Sequence, residues 1–472
     1  MSTSTQLAVI GGGPGGYAAA FLAADLGMQV TLIDLEKNPG GVCLYRGCIP
    51  SKALLHIAKL INEAKEAKKW GIEFGKPKID IDKVRDFKNG VVNKLTGGLG
   101  QLAKQRKVNF INGKARFVNS NTLAVEKTDG TTEEIVYEKA ILATGSVPAK
   151  VPGLSFESPR VMDSTSALEI NEVPKRLLVI GGGYIGLELS TVYAALGSKV
   201  TVVEMMPGLL PGADRDLVAV LERRIKSAME SVFVETKVTE LKETKEGIKV
   251  KLEGKNVTEP EQTFDKVLIS VGRKPVTTGF GIENTKIKVN EKGFVVVDRQ
   301  LKTDNPSIHA IGDIVGNPML AHKASAEGKI AVEAILGHKV AFEPNAIPAV
   351  VFTDPELAWT GLSETEARER GIEIEVAKFP WAASGRASTL DRNDGMTKLI
   401  IEPGTERILG VGIVGVGAGD MIAEGTLAIE MGAVVKDLEL TIHPHPTLSE
   451  TMMFAAELFY GHATDMYRPK RK

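Results

Sequence analysis

Cysteine is almost absent from this chain, with 2 in 472 residues, Cys43 and Cys48. So few exclude a secreted disulfide framework, and in a reducing compartment a persistent disulfide is catalytic rather than structural. An excess of charge of one sign is missing too. Lys and Arg total 58 against 59 Asp and Glu, for a formal net charge of -1, and no long block of like charge interrupts the chain. Nucleic-acid and membrane-surface roles are therefore disfavoured, and the basic end from Tyr467 to Lys472 reads as a solvated tail. Long apolar runs are also lacking. Leu7-Ala-Val-Ile10 ends at once in glycines, and no stretch reaches the roughly 18 apolar residues of a membrane span. Cytoplasmic residence is the expectation, in a chain too long for one core and suited to about three domains.

Glycine, by contrast, recurs in a pattern. Val9-Ile-Gly-Gly-Gly-Pro-Gly-Gly16 returns as Val179-Ile-Gly-Gly-Gly-Tyr-Ile-Gly186, each copy following an apolar strand and opening an amphipathic helix. An acid stands 23 residues past the first glycine of each copy, Asp34 and Glu204. Dinucleotide binding asks for this arrangement. Gly11 and Gly181 permit the tight turn, Gly13 and Gly183 let a pyrophosphate reach backbone amides, and Gly16 and Gly186 let helix pack on strand. One copy alone would also fit an ordinary glycine-rich turn; two, each with strand, helix and acid in place, predict an α/β chain with two Rossmann-like folds. Glu204 selects NAD over NADP, because a carboxylate binds a free ribose 2′-hydroxyl and repels a 2′-phosphate. A second duplication pairs Ile141-Leu-Ala-Thr-Gly-Ser-Val-Pro148 with Val267-Leu-Ile-Ser-Val-Gly-Arg-Lys-Pro275. Both read as closing strands that end in a glycine turn and proline.

Cys43 and Cys48 follow the first fingerprint, in Gly40-Gly-Val-Cys-Leu-Tyr-Arg-Gly-Cys-Ile-Pro-Ser-Lys52. Residues five apart on a regular helix are displaced by about 7.5 Å along its axis, whereas bridged Cα atoms lie roughly 4.4 to 6.8 Å apart. A bridge here needs a distorted turn. Pro50 is tolerated only near a helix start, so a helix beginning just after Cys48 offers that sulfur its positive end and favours a thiolate. Spacing alone leaves open two small buried thiols.

With these residues, the Ala143-Thr-Gly-Ser146 turn and Ile308-His-Ala-Ile-Gly-Asp313, the chain resembles the pyridine nucleotide-disulfide oxidoreductases over essentially its whole length. His443-Pro-His-Pro-Thr-Leu-Ser-Glu450 is similar to the His and Glu run of the family's dihydrolipoamide-oxidising members. The resemblance implies an FAD-binding domain at 1–150, an NAD-binding domain at 151–275, a central segment at 276–346 completing the FAD domain, and a C-terminal α+β dimerisation domain at 347–472. It implies Cys43 and Cys48 as a redox disulfide, His445 as the base, Glu450 as its orienting acid, and Lys52 paired with Glu188 beside the flavin. FAD would be held by Gly11, Gly13, Gly16, Asp34, Lys52, Gly113, Thr144, Gly145, Asp313 and Ala321. NAD would be held by Gly181, Gly183, Gly186, Glu204, Val238 and Gly272. No metal is expected. Implied partners are a second copy of the chain, lipoylated protein domains, and the acyltransferase core of a 2-oxo acid dehydrogenase complex. A base is chemically reasonable there, since a dithiol attacking a disulfide must lose and later regain a proton near neutral pH.

Two alternatives stay open: a related disulfide reductase of the glutathione reductase kind, disfavoured by Glu204, and a mainly structural flavoprotein subunit, disfavoured by intact cysteines and His445. The chain departs from the family pattern at Tyr45 and Arg46, where Asn and Val are common, and at Asp34, where Glu is usual. Arg46 could lower a thiol pKa, although a solvent-facing charge is the commoner role.

Overall fold

The computed structural model describes residues 2–154 and 157–467; of the basic tail, all but Tyr467 lies outside that range. Among the described residues no helix is long and apolar enough to cross a membrane.

Strand Ser2–Ile10 runs parallel to both Val30–Asp34 and Thr132–Leu142. The long strand Asn109–Asn119 pairs in parallel with Val30–Asp34 through its first half and antiparallel with Thr122–Lys127 through its second. Because Thr122–Lys127 also pairs with Thr132–Leu142, the sheet closes on itself, and Ile308–Ala310 joins its far side in parallel. The chain thus returns to its first sheet after building the second.

That second sheet is five-stranded and wholly parallel, with Arg176–Ile180 at its centre between Lys199–Val203 and Lys266–Ile269. Its strands are nearly continuous apolar runs because both faces are covered; Leu177, Leu178 and Val179 are all fully buried. The two duplicated turns then meet: Ser146–Pro148 pairs antiparallel with Arg273–Pro275. Residues from about 349 on form a five-stranded antiparallel sheet backed by helices Ala418–Glu430 and Glu450–Tyr460.

Helix Cys48–Glu66 belongs to the first fold by sequence but packs against the second. Leu54 and Leu55 share one buried cluster with Leu187, Val351 and Val414. The cysteine helix is therefore where all three regions touch, which brings Glu188 and Phe352 to it.

Candidate active site

Gly47 gives the cysteine segment its distorted turn. Helix Gly41–Arg46 carries Cys43 and helix Cys48–Glu66 begins at the second cysteine, while Gly47 between them has φ -144° and ψ -113°. A side chain at Gly47 would put its Cβ 2.9 Å from the Val42 carbonyl oxygen, so the break needs glycine. Cys48 sits at the helix start, where unpaired amides favour an anion.

Both cysteines are thiols in this structure, and their environments differ in sign. The Cys43 thiol donates a hydrogen bond to the Cys48 sulfur, which together with Lys52 and the Cys48 amide lowers the Cys48 pKa to about 7 against the opposing effects of burial and Glu188. The same hydrogen bond, with burial, pushes Cys43 up. At neutral pH Cys48 is thus the thiolate-forming sulfur and Cys43 keeps its proton.

Lys52 reaches Glu188 at 2.8 and 3.0 Å, and Ser51 Oγ donates to the same carboxylate at 2.9 Å. The Phe352 amide adds a third donor at 3.0 Å, and the Lys52 ammonium lies 4.5 Å from the Phe352 ring centroid. Glu188 is almost fully buried; a lone carboxylate there would be costly, and this donor set satisfies it.

Cys43, Cys48, Lys52 and Glu188 line one cavity of about 360 Å³ that also runs past Gly11, Gly13, Asp34, Gly113, Thr144, Gly145, Asp313 and Ala321. Helix Pro14–Asp25 opens into it from Gly13 with no side-chain cap and no acid in its first turn, which leaves its first amides for an anion. At the far end, Asp34 accepts from the Gly12 amide and, at 2.8 Å, from the Glu36 amide. Burial raises the Asp34 pKa, while the Gly12 amide and the Arg46 guanidinium oppose that rise. An uncapped helix start, an acid at the end of the second strand and a cysteine pair along one cavity fit FAD.

The second loop repeats the first. Helix Tyr184–Leu196 starts uncapped at Gly183, and Glu204 accepts from the Gly182 amide at 2.7 Å and the Met206 amide at 2.7 Å. Gly186 packs against the Gly181 carbonyl, as Gly16 does against that of Gly11. Gly272, at φ +127°, turns the closing strand. The Val238 side chain is core, packed with Ile180 and Val203, so only its backbone is available to a nucleotide.

His445 and Glu450 form a separate pair. The imidazole Nδ1 lies 2.9 Å from Glu450 Oε1, and Glu450 Oε2 accepts from the Thr447 amide at 2.8 Å. The His445 side chain is 78% exposed while Glu450 is buried. Among the described residues that line the cavity, His445 is absent.

Arg46, its side chain 37% exposed, pairs with Glu36 and its charge acts on Asp34. Tyr45 latches the same loop, its hydroxyl accepting from the Asn38 amide and donating to the Asn38 carbonyl at 3.1 Å. Sequence reasoning missed Ser51, Ser146, Arg273 and Phe352. Arg273 donates to Ser146 Oγ at 2.7 Å, and that hydroxyl donates to Asp313. Their position in the duplicated turns was the available signal; Phe352 carried none.

The chain matches the family model described as pyridine nucleotide-disulphide oxidoreductase over residues 5–328, and that family's dimerisation domain over residues 347–456. It is 50% identical over 467 residues to a dihydrolipoyl dehydrogenase of Vibrio cholerae, covering 99% of this chain and 98% of the relative. The match to the Geobacillus stearothermophilus dihydrolipoyl dehydrogenase is 46%, covering 97% and 96%. Among solved structures, LpdA of Mycobacterium tuberculosis superposes with a TM-score of 0.89 at 26% identity, covering 96% and 99%. The HOCl-induced flavoprotein disulfide reductase RclA of Escherichia coli gives 0.84 at 30%, covering 95% and 98%. On this extent of match, carried through both nucleotide loops, the cysteine segment and the C-terminal domain, the chain belongs to the pyridine nucleotide-disulphide oxidoreductase family.

Proposed function

We propose that this enzyme oxidises protein-bound dihydrolipoyl groups to lipoyl groups and reduces NAD to NADH, through a disulfide between Cys43 and Cys48. The observation that carries the reading is the asymmetric thiol pair, with Cys48 lowered and Cys43 raised, on the wall of a cavity suited to FAD. Relatives named dihydrolipoyl dehydrogenase, matched along almost the whole chain, supply the substrate class.

In the oxidised enzyme His445 takes a proton from one dihydrolipoyl thiol. The thiolate attacks Cys43 Sγ, the Cys43–Cys48 bond breaks, and its electron pair stays on Cys48 as the thiolate its surroundings favour. The second dihydrolipoyl thiol then attacks its neighbour and displaces Cys43; His445 gives its proton to the departing Cys43 sulfur and takes the proton of the attacking thiol, so that one proton ends on Cys43 and the other on His445. Lipoyl disulfide leaves, and two electrons remain on the cysteine pair. Bound FAD and NAD supply the onward carriage of that pair as hydride. Glu450 holds the His445 ring through Nδ1 and stabilises its cation, leaving Nε2 to face substrate. Lys52 and Glu188 set the charge beside Cys48. Glu204 favours NAD over NADP.

The base reaches the thiols across a homodimer in this reading. His445 is exposed and does not line its own cavity, while Leu440 and Ile442 just before it in the chain, and Leu427 and Met431 at the end of the helix that carries Glu424, present exposed apolar side chains, Ile442 at 95%. A second copy would cover them and bring each His445 to the other subunit's cysteines. We assign the domains as 1–150, 151–275, 276–346 and 347–472, following the sheet boundaries. Lipoylated domains on the acyltransferase core of a 2-oxo acid dehydrogenase complex are the proposed partners, and the scarcity of cysteine suits a reducing cytoplasm.

Initial rates with dihydrolipoamide, comparing NAD with NADP and wild type with Cys48→Ser and His445→Gln, test this. NAD reduction that collapses in both variants is expected. Turnover only with glutathione disulfide and NADPH would overturn both substrate and cofactor assignments.

A further inference from the structure

His443 stands two residues before His445, and the mechanism above makes no use of it. Its side chain is only 5% exposed. Ring atom Nδ1 lies 2.8 Å from the Thr441 carbonyl oxygen, and Nε2 lies 2.7 Å from Glu424 Oε1 on helix Ala418–Glu430. Both partners are acceptors. A neutral imidazole has one N–H and one lone pair, so one of these two contacts would set a lone pair against an oxygen. With Glu424 ionised, only the imidazolium, a donor at both nitrogens, satisfies both.

The placement gives this cation a use. Pro444 and Pro446 flank His445 and restrict the backbone on either side of it. Downstream, Thr447 is tied to Glu450 through its amide and to the Pro444 carbonyl through its hydroxyl at 2.6 Å. Upstream, Thr441 Oγ1 donates to the Asp437 carbonyl at 2.7 Å, and His443 ties the segment to Glu424 of helix Ala418–Glu430. We infer that His443 is a positioning residue, held as an imidazolium, that pins the His445 loop to helix Ala418–Glu430 and lets it go when the ring loses its proton as pH rises. This rests on reading His445 as the base.

The charged groups that act on His443 are Glu424 from helix Ala418–Glu430 and Glu450 from helix Glu450–Tyr460, both acidic, and both raise its pKa; burial opposes them. With the folded value above the unfolded one, the latch is complete below the ordinary histidine range and is lost as pH rises through the raised value. Acid therefore does not release it, and alkali does.

The test is made on the FAD-loaded full-length dimer with ¹³C-labelled histidine, His443→Gln assigning the resonance. The ring should titrate above the ordinary value of about 6.5, and Glu424→Gln should bring it back toward that value. Dihydrolipoamide turnover against pH is the second readout. Glu424→Gln should keep kcat within about twofold on the acid side of the profile, while its decline on rising pH begins earlier than in wild type, in step with the ring. His443→Gln should lower kcat about tenfold with KM little changed. A His443 ring that titrates at or below about 6.5, or a Glu424→Gln profile superimposed on wild type, overturns the inference. Failure of wild type to reduce NAD would instead sink the reading of the site, while the ring titration still decides the state of His443.

Discussion

The two glycine loops are near copies, yet the molecule treats them differently. Each turns on a glycine at positive φ, +104° at Gly11 and +111° at Gly181, and each leaves its helix uncapped. In both, the acid at the end of the second strand accepts from the middle glycine's amide and from the residue two beyond itself. What differs is enclosure. The first loop lines, with its glycines, a cavity also walled by the cysteine helices, Asp313 and Ala321; the second gives that cavity only Tyr184 and Ile185 and none of its glycines, and Met205 and Met206 beside Glu204 stand exposed. The same local chemistry thus serves a resident cofactor where the chain folds over it and an exchanging one where it does not. Residence is a property of the surroundings rather than of the motif.

Adding one methyl group to each loop tests that difference most severely. A Cβ on Gly11 would lie 2.2 Å from the Ala143 carbonyl oxygen and on Gly181 2.5 Å from that of Ser270. Neither backbone can yield without moving a closing strand, and the positive φ adds strain of about 1 to 3 kcal/mol. Gly11→Ala should purify with almost no flavin absorbance. Gly181→Ala should keep its flavin and show a KM for NAD raised at least about tenfold. Loss of flavin from both variants would mean the loops are not independent.

The paired acids give the next effect. Charge-assisted hydrogen bonds are worth about 1.5 to 3 kcal/mol, and a carboxylate repels a 2′-phosphate. Glu204→Ala should cut the preference for NAD over NADP by about tenfold or more without releasing flavin. Asp34→Ala should leave that preference alone and speed flavin release. Rate ratios with the two nucleotides, and flavin fluorescence after dilution, read the two results separately.

Lys52→Met probes the side of the cavity that the second loop lacks. The Lys52 ammonium lowers the Cys48 pKa and Glu188 raises it, so removing the cation should move the thiolate transition upward from about 7, by about one unit. Alkylation of the reduced enzyme by iodoacetamide against pH reports it. A transition that stays put would leave the Cys43 hydrogen bond and the helix start as sufficient causes. The variant should also lose some stability, because Glu188 keeps Ser51 and Phe352 but loses its charged partner.

Much of this was legible in the chain because the chemistry is local. Gly11 to Asp34, Cys43 to Lys52 and His445 to Glu450 are each short runs whose spacing is set by one turn, helix or strand. Pro50 marked the helix start at Cys48, and the need for a distorted turn between the cysteines is met by Gly47. Contacts made across the chain were not legible. Nothing near Lys398 announces that it is buried against Asp214, Asp216 and Glu364, nor does any local pattern predict Phe352 over Lys52. Periodicity says which face of an element is covered, not by what. The pairing of Ser146–Pro148 with Arg273–Pro275 shows the same limit: both turns were recognisable as duplicates, but their mutual hydrogen bonds depend on how two domains meet.

Arg46 is a residue whose partners local reasoning did not show, and it predicts the smallest effect. An isolated arginine between two cysteines reads as a solvent-facing charge or as a cation for the thiols. In the fold its helix points it the other way, to Glu36 and toward Asp34, on a loop also held by Tyr45. The second loop has no counterpart, since Met205 and Met206 follow Glu204. Arg46 is then part of the enclosure that distinguishes the two sites. The pair is partly exposed, so its worth is that of a screened ion pair, at most about 1 kcal/mol. Arg46→Val should speed flavin release by about two- to fivefold and leave both the thiolate transition of Cys48 and the KM for NAD unchanged. A shift in that transition would return Arg46 to the thiols. Release as slow as in wild type would mean that the walls formed by the cysteine helices retain the cofactor without it.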